Sequence, residues 1–340
     1  MKNKHVVTIV VTVYNYTYTK EFESVLCSLS KQKIDKEIVL CEQSTEISNI
    51  LLQLCKKYNI KYINITPEIV DGKIFYNIGR VRNVAALCGN SEYIYFTDAD
   101  ILIYDVDYLY DLVCYSENHM KVSCMRPKIR RLKKEFHEAF SRDYLAKINI
   151  DFGSSIPYCY SEYDEIKNVV SPISGVEIYR VMYNLVHVGE VNKSEKDITF
   201  EANRIEEFSN NWRPAIHFGG VLCSRKTFIK AGGYCEKYYN WGAEDIDFQW
   251  KIEGTSGMQL IDYVISNCSL LHFEHESRCD NTLYSKNRDI CDRRRKEKIE
   301  KIVEADLNEK NSFIARWYAQ DYEFCKNLIC YGVKHLCMNE

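Results

Sequence analysis

Two periods of hydrophobic and polar positions alternate over the first 125 residues. Val6–Val13 is a near-continuous β-branched run, the pattern of a strand buried on both faces. Glu21–Gln32 then places Phe22, Val25, Leu26 and Leu29 at helical spacing. Glu37–Cys41 reads as a second strand, and Ile47–Tyr58 as a helix striped by Ile47, Ile50, Leu51, Leu54 and Cys55. Lys61–Ile65 reads as a third strand, Gly79–Cys88 as a helix stopped by Gly89, and Tyr93–Phe96 as a fourth strand running into Thr97-Asp98-Ala99-Asp100. Strands spaced by helices in this way predict βαβ units and a parallel sheet, hence an α/β fold.

The regularity fades from Arg126 to about Pro214, where a basic cluster (Arg126 to Lys134) leads into the aromatic stretch Tyr158–Tyr163. This segment reads as an insertion with its own helices, or as a lid. Order returns at Ile216–Cys223, a strand carrying Gly219-Gly220, followed by a helix at Arg225–Ala231 and a Gly232-Gly233 turn. Asp245–Ile252 continues as a helix; Leu260–Ile265 and Leu270–Phe273 read as strands. A highly charged helix begins between Asn287 and Ile302, and Phe313–Leu336 reads as an amphipathic aromatic helix or pair.

Composition narrows the class. A chain of 340 residues with 46% hydrophobic residues has room for one large domain or two, each with a core. With 45 basic against 48 acidic residues and a formal net charge of -3, nucleic acid is not an expected partner. Only 14 Gly and 5 Pro, against 26 Tyr, argue against disorder. The longest apolar run, around Val6–Val13, is far short of the roughly 20 residues of a membrane helix, which leaves peripheral contact as the membrane role still open. The 15 cysteines are odd in number and contain no Cys-x-x-Cys. Met1–His5 leads into the first strand without an apolar leader. Together these predict a cytoplasmic, reducing compartment, with Cys41, Cys88, Cys223 and Cys268 as core thiols; an extracellular disulfide protein is the alternative.

Four groups carry candidate chemistry. Asp98 and Asp100 end an apolar strand, where open α/β sheets bind ligands, and two such carboxylates can hold a hard divalent cation and through it a diphosphate. Taken alone, so short a motif is more often a solvated turn. Trp241-Gly242-Ala243-Glu244-Asp245 offers a flat ring for a pyranose face and adjacent carboxylates for hydroxyls, one of them a candidate general base. The same carboxylates also suit a helix N-terminus. His272 and His275 can complete the shell of a cation held by Asp100, although His-x-x-His is commonly an ordinary pair. Arg82 and Asn83 can bring a cation and an amide to a phosphate or base; a surface arginine is the default. Arg293–Lys296 is followed by Glu297, Glu300 and Glu304, which favours a solvated helix face over a lipid or RNA site.

In order along the chain, these pieces resemble glycosyltransferases with a GT-A fold. The N-terminal half is similar to family 2: Val11-Thr12-Val13-Tyr14-Asn15 matches its first-strand signature (which usually has Pro where Thr12 stands), and Gly79-Arg80-Val81-Arg82-Asn83 with Tyr93–Asp100 matches its Arg-Asn helix and Asp-x-Asp strand. The C-terminal half is similar to β-1,4-galactosyltransferases and chondroitin-type N-acetylgalactosaminyltransferases, through Phe218–Val221, Gly232-Gly233-Tyr234, Trp241–Asp247 and His272–His275. The resemblance implies a mixed, mostly parallel Rossmann-like sheet flanked by helices. It also implies a donor site at Thr12, Tyr14, Glu42, Arg82, Asn83, Asp98, Asp100, Gly219 and Gly220. Glu42 stands where many relatives have Asp. Asp100 would ligate Mn²⁺ or Mg²⁺ with His272, His275 or both. Trp241 and Glu244 would bind a carbohydrate acceptor, and Asp245 would be the base of a single inverting displacement from a nucleoside-diphosphate sugar, a UDP-sugar above all.

Because the motifs run from Tyr14 to His275 and must converge, residues 1–278 are expected to form one domain: a nucleotide-binding half (1–125), an acceptor or lid insertion (126–214) and a catalytic half (215–278). Residues 279–340 are expected to be a helical extension, either packed on the domain or used for self-assembly. Two other functions compete. A sugar nucleotidyltransferase would carry a Gly-rich basic loop where Tyr14–Tyr18 stands, and a non-catalytic carbohydrate-binding protein would not need the acidic and histidine groups. A glycosidase would leave Asp98, Asp100 and the histidines without a role.

Overall fold

The computed structural model describes residues 6–15, 19–70, 72–103, 105–118, 122–132, 134, 137–146, 215–216, 219–256, 259–263, 270–273, 275 and 281–328. The expectations for residues 147–214, for Tyr16–Tyr18, Phe218, Cys268 and Glu274, and for the end of the aromatic tail lie outside them.

The chain begins β1 (Val7–Tyr14), α1 (Lys20–Ser30), β2 (Lys36–Gln43), α2 (Asn49–Lys57), β3 (Lys61–Ile65). A two-stranded hairpin, β4 (Glu68–Val70) and β5 (Lys73–Phe75), precedes α3 (Ile78–Cys88), β6 (Tyr93–Asp98), β7 (Ile101–Ile103), α4 (Tyr108–Asn118), β8 (Val122–Leu132) and α5 (His137–Ala146). Further on come β9 (Ala215–Ile216), β10 (Val221–Ser224), α6 (Arg225–Lys230), α7 (Glu244–Ser256), β11 (Gln259–Tyr263) and β12 (Leu270–Phe273). The described chain closes with α8 (Asn281–Arg294), α9 (Ile299–Leu307), α10 (Phe313–Tyr318) and α11 (Tyr322–Leu328).

The main sheet runs β3-β2-β1-β6-β10-β8-β12-β7, with β9 and β11 also on β8. Its β3-β2-β1-β6 half is wholly parallel. β10 then runs antiparallel to both β6 and β8. This is the mixed α/β sheet with flanking helices that the sequence predicts. The alternation of β1 explains the two layers: Val7, Ile9, Val11 and Val13 point into one buried cluster with α1 and α2, and Val10 points into a second with α3 and the rings of Phe96, Phe228, Phe248 and Phe313. Side-chain hydroxyls or amides of Thr19, Ser48, Asn77, Ser224 and Ser312 cap the helices that follow them.

Three elements differ from the sequence reading. The basic stretch from Arg126 is not irregular: through Leu132 it belongs to β8, which four strands flank, β9 and β10 antiparallel and β11 and β12 parallel. Ladder bonds from these neighbours impose the strand on a polar sequence. The expected strand Ile216–Cys223 is two short ones, β9 and β10, because Gly219 sits in a turn between them. The charged C-terminal helix starts earlier, at Asn281.

Among the described residues the C-terminal helices are tied to α7 and to the second core cluster. Arg294 of α8 donates to Asp247 of α7 (2.7 and 3.1 Å) and to Asp306 of α9 (2.8 and 2.7 Å). Lys251 of α7 donates to Asp306 at 2.7 Å. Phe313 and Ile314 join the second core cluster, and their backbone N–H groups donate to the buried carboxylate of Glu236. Among the described residues, no helix is long and apolar enough to cross a membrane, and Cys27, Cys41, Cys55, Cys88, Cys114, Cys223, Cys235, Cys291 and Cys325 are free thiols.

Candidate active site

The site lies at the carboxyl end of β6. The β1–β6 register sets Thr12 beside Asp98. β7 pairs antiparallel with β12, bringing His272 opposite Ile101, and the N–H of Phe273 donates to the Asp100 carbonyl at 2.9 Å. Sheet pairing thus brings two segments some 170 residues apart onto one carboxylate: His275 Nε2 lies 2.8 Å and His272 Nε2 3.4 Å from Asp100 Oδ2. The two imidazoles are 5.3 Å apart, centre to centre.

Whether a divalent cation fits here turns on the donors. Asp100, His272 and His275 each turn a ligand atom into one small volume. The set is one carboxylate oxygen and up to two imidazole nitrogens, suited to Mn²⁺ and similar ions. A second acidic cluster, Cys235, Asp247 and Asp306, is also close enough. Its carboxylates are already paired with the buried cations Arg294 and Lys251, so it has no charge left for a metal.

Arg82 organises the other carboxylates. It projects from α3 and is 1% exposed at its side chain. One terminal nitrogen, Nη2, donates to Asp98 Oδ1 at 3.0 Å. The other, Nη1, is bonded to Asp245 and lies 3.8 Å from Glu244. The guanidinium sits 5.0 Å over the Tyr234 ring. Burial opposes its charge, but the surrounding acids, Asp245 foremost, outweigh that and hold it firmly protonated. Arg82 therefore joins the strand-end acid Asp98 to the helix-start acid Asp245; the sequence reading aimed it at the donor's base or diphosphate.

The α7 N-terminus supplies the remaining acids. Glu244 is buried, and its carboxylate accepts from the N–H of Gly242 at 2.9 Å. Burial first, and Asp245 second, push its carboxyl up to about 8 against the pull of Arg82, so it is largely protonated at neutral pH. Asp245 stays partly accessible, with its side chain 17% exposed. The loop before the helix is tightly wound: Asn240 (φ 59°), Gly242 (φ 111°) and Ala243 (φ 70°) all take left-handed backbone. Its product is Trp241, held 57% exposed.

The other donor-site candidates divide into two groups. Thr12 is buried and hydrogen-bonds Tyr76, whose ring stacks on Tyr14 at 4.9 Å. Gly219 and Gly220 are buried, and Gly219 lies against Asp98. Two residues instead spend polar groups inside the protein. Glu42 is buried and accepts the Tyr62 hydroxyl. Asn83 donates its amide to the Tyr234 carbonyl and to Glu236, both at 2.9 Å, and accepts the Tyr234 N–H at 2.8 Å. Tyr234 stands out from sequence only as part of the Gly232-Gly233-Tyr234 motif, with no site role, and Tyr76 is missed; its place just before the Asn77 cap is the available signal.

Gly219 provides a test of this packing. A Cβ there would come 2.6 Å from Asp98 Oδ2 and 2.9 Å from Arg82 Nη2. Gly219→Ala is therefore expected to displace Asp98 from Arg82, a shift that a crystal structure of the variant measures.

Residues 203–276 match the family model described as the N-terminal domain of galactosyltransferase. Comparison with curated proteins gives no significant match. Among solved structures, S. aureus TarS 1-349 in complex with UDP-GlcNAc is 13% identical, with a TM-score of 0.48 over 95% of this chain and 74% of that one. The mannosyltransferase PcManGT from Pyrobaculum calidifontis, in complex with GDP-Man and Mn²⁺, is 14% identical, with a TM-score of 0.43 over 94% of this chain and 70% of that one. A longer S. aureus TarS chain is covered over 37% of its length, at 14% identity and a TM-score of 0.45.

Proposed function

We propose that the chain is a metal-dependent inverting glycosyltransferase, moving a sugar from a nucleoside-diphosphate sugar, specifically a UDP-sugar, to a hydroxyl of a glycan or other carbohydrate acceptor. The observation that carries this reading is the convergence of Asp98, Asp100, His272, His275 and Asp245 from three separate stretches of sequence, with Asp100 facing both histidines and Arg82 bonded to both Asp98 and Asp245. The galactosyltransferase match over residues 203–276 supports it independently of the strand-end acids.

Asp100, with His272 and His275, would hold Mn²⁺ or Mg²⁺. When bound, such an ion neutralises charge developing on the leaving diphosphate. Tyr14 and Tyr76, stacked on each other, would take the nucleobase, and Asp98, anchored by Arg82, would meet the ribose. Asp245 takes the proton from the attacking hydroxyl. Its bond to Arg82 orients the carboxylate.

Metal dependence tests the assignment directly. Treatment with EDTA is expected to stop UDP release from a UDP-sugar, and added Mn²⁺ to restore it. Asp100→Ala should raise the Mn²⁺ concentration for half-maximal activity by more than about 10–100-fold, the loss that even an outer-shell partner produces. Transfer that continues without metal removes Asp100 and the histidines from this role.

A further inference from the structure

We propose that Tyr284, on helix α8, is a positioning residue of the acceptor site: it fixes the Trp241 ring so that the ring's exposed surface stacks on a sugar of the acceptor. This rests on the glycosyltransferase reading above and extends it to residues beyond the segment that matches the galactosyltransferase model, which ends at 276.

Four observations converge on Tyr284. Its ring stacks on Trp241, with centroids 5.4 Å apart and planes 23° from parallel. A side chain at Gly242 would run into the Tyr284 ring, so the glycine at φ 111° permits the approach. One helical turn on, the buried Asn287 donates its amide to the carbonyls of Tyr239 (2.9 Å) and Trp241 (3.2 Å), clamping the loop from the same face of α8. On that face too, Arg294 grips Asp247 in the first turn of α7, next to Asp245 and Glu244. The loop and the candidate catalytic helix are therefore both registered against α8.

A tryptophan left 57% exposed forfeits most of the burial that ordinarily stabilises so large a ring. Here left-handed backbone at Asn240, Gly242 and Ala243 is also spent on holding it there. An outward-facing indole four residues before the partly accessible Asp245 matches the apolar face and hydroxyls of a pyranose. Tyr284 is what keeps the indole from turning. Its contribution is that of an aromatic pair, about 0.5–1.5 kcal/mol, or roughly two- to twelvefold in affinity.

The test compares wild type, Tyr284→Ala and Tyr284→Phe in steady-state transfer from UDP-sugars to p-nitrophenyl glycosides of glucose, galactose and their N-acetyl forms, with Mn²⁺. Tyr284→Ala is expected to raise the acceptor KM by about three- to tenfold while leaving the donor KM unchanged. Tyr284→Phe, which keeps the ring, is expected to behave as wild type. An unchanged acceptor KM in the alanine variant, a phenylalanine variant as impaired as alanine, or donor and acceptor KM rising together overturns the proposal. So does a wild-type protein that hydrolyses a UDP-sugar but transfers to none of the glycosides; that result leaves the glycosyltransferase reading standing. A wild-type protein that neither binds nor turns over any nucleoside-diphosphate sugar overturns both.

Discussion

Asp245→Asn is expected to lower sugar transfer by roughly 10²–10⁴-fold, the range for loss of a positioned general base, with Mn²⁺-dependent donor binding nearly intact. Initial rates of UDP release with acceptor present, set beside calorimetric donor affinity, measure the two quantities separately. The geometry explains why the damage should stay in the chemical step. Arg82 keeps its 3.0 Å bond to Asp98, so removing the Asp245 charge does not strand a buried cation. Glu244 adjusts as well: Asp245 is one of the charges that push its carboxyl up to about 8, and without it Glu244 ionises more readily beside Arg82. Glu244 cannot take over as base, because its side chain is 2% exposed against 17% for Asp245. Full activity in the variant would remove Asp245 from the mechanism.

The largest expected effect on stability is at Asp306. This carboxylate, 3% exposed, sits between Lys251 and Arg294, both buried. Asp306→Ala is expected to destabilise the protein by about 3–5 kcal/mol, because Lys251, fully buried, loses its acid partner while Arg294 keeps Asp247. Equilibrium urea denaturation measures the loss, and Asp306→Asn, which leaves an acceptor in place, should be milder. The same group confers acid sensitivity. Burial alone would raise its carboxyl, but Lys251 and Arg294 overcome that and hold it at about 2, below the ordinary 3.8. A depressed folded-state pKa contributes stability above the ordinary value and loses it as pH falls toward the folded one. Wild type should therefore lose stability between about pH 4 and 2 by an increment that the alanine variant lacks.

Residues whose physics is local were legible in the sequence. β1 announced itself by β-branched residues, α1 and α2 by apolar stripes, and the strand-end acids by following an apolar run. β8 did not, because a sheet interior imposes its ladder whatever the side-chain pattern, and Arg126-Pro127-Lys128 carries no period that a hydropathy argument detects. The clamp of Asp247, Lys251, Arg294 and Asp306 was hidden for the opposite reason: charges that neutralise one another in the core look, along the chain, like a solvated helix face. Arg82 shows the same limit within the site. Its motif marked it as important, but only the fold reveals that it faces three protein acids.

The knot behind the site also sets when it can form. Arg80, two residues before Arg82, donates to Glu236 at 2.8 Å and to the carbonyl of Asn311 at 2.5 Å, a partner 231 positions later in the chain. At about 5–20 residues per second, roughly 10–50 s of synthesis separate those two ends of one hydrogen bond. By then the other partners of these α3 side chains are already made: Glu68 and Glu236 for Arg80, Asp98 and Asp245 for Arg82, Tyr234 and Glu236 for Asn83. A chain that stops short of residue 311 therefore carries every acidic partner of α3 but not the late backbone that closes over Arg80.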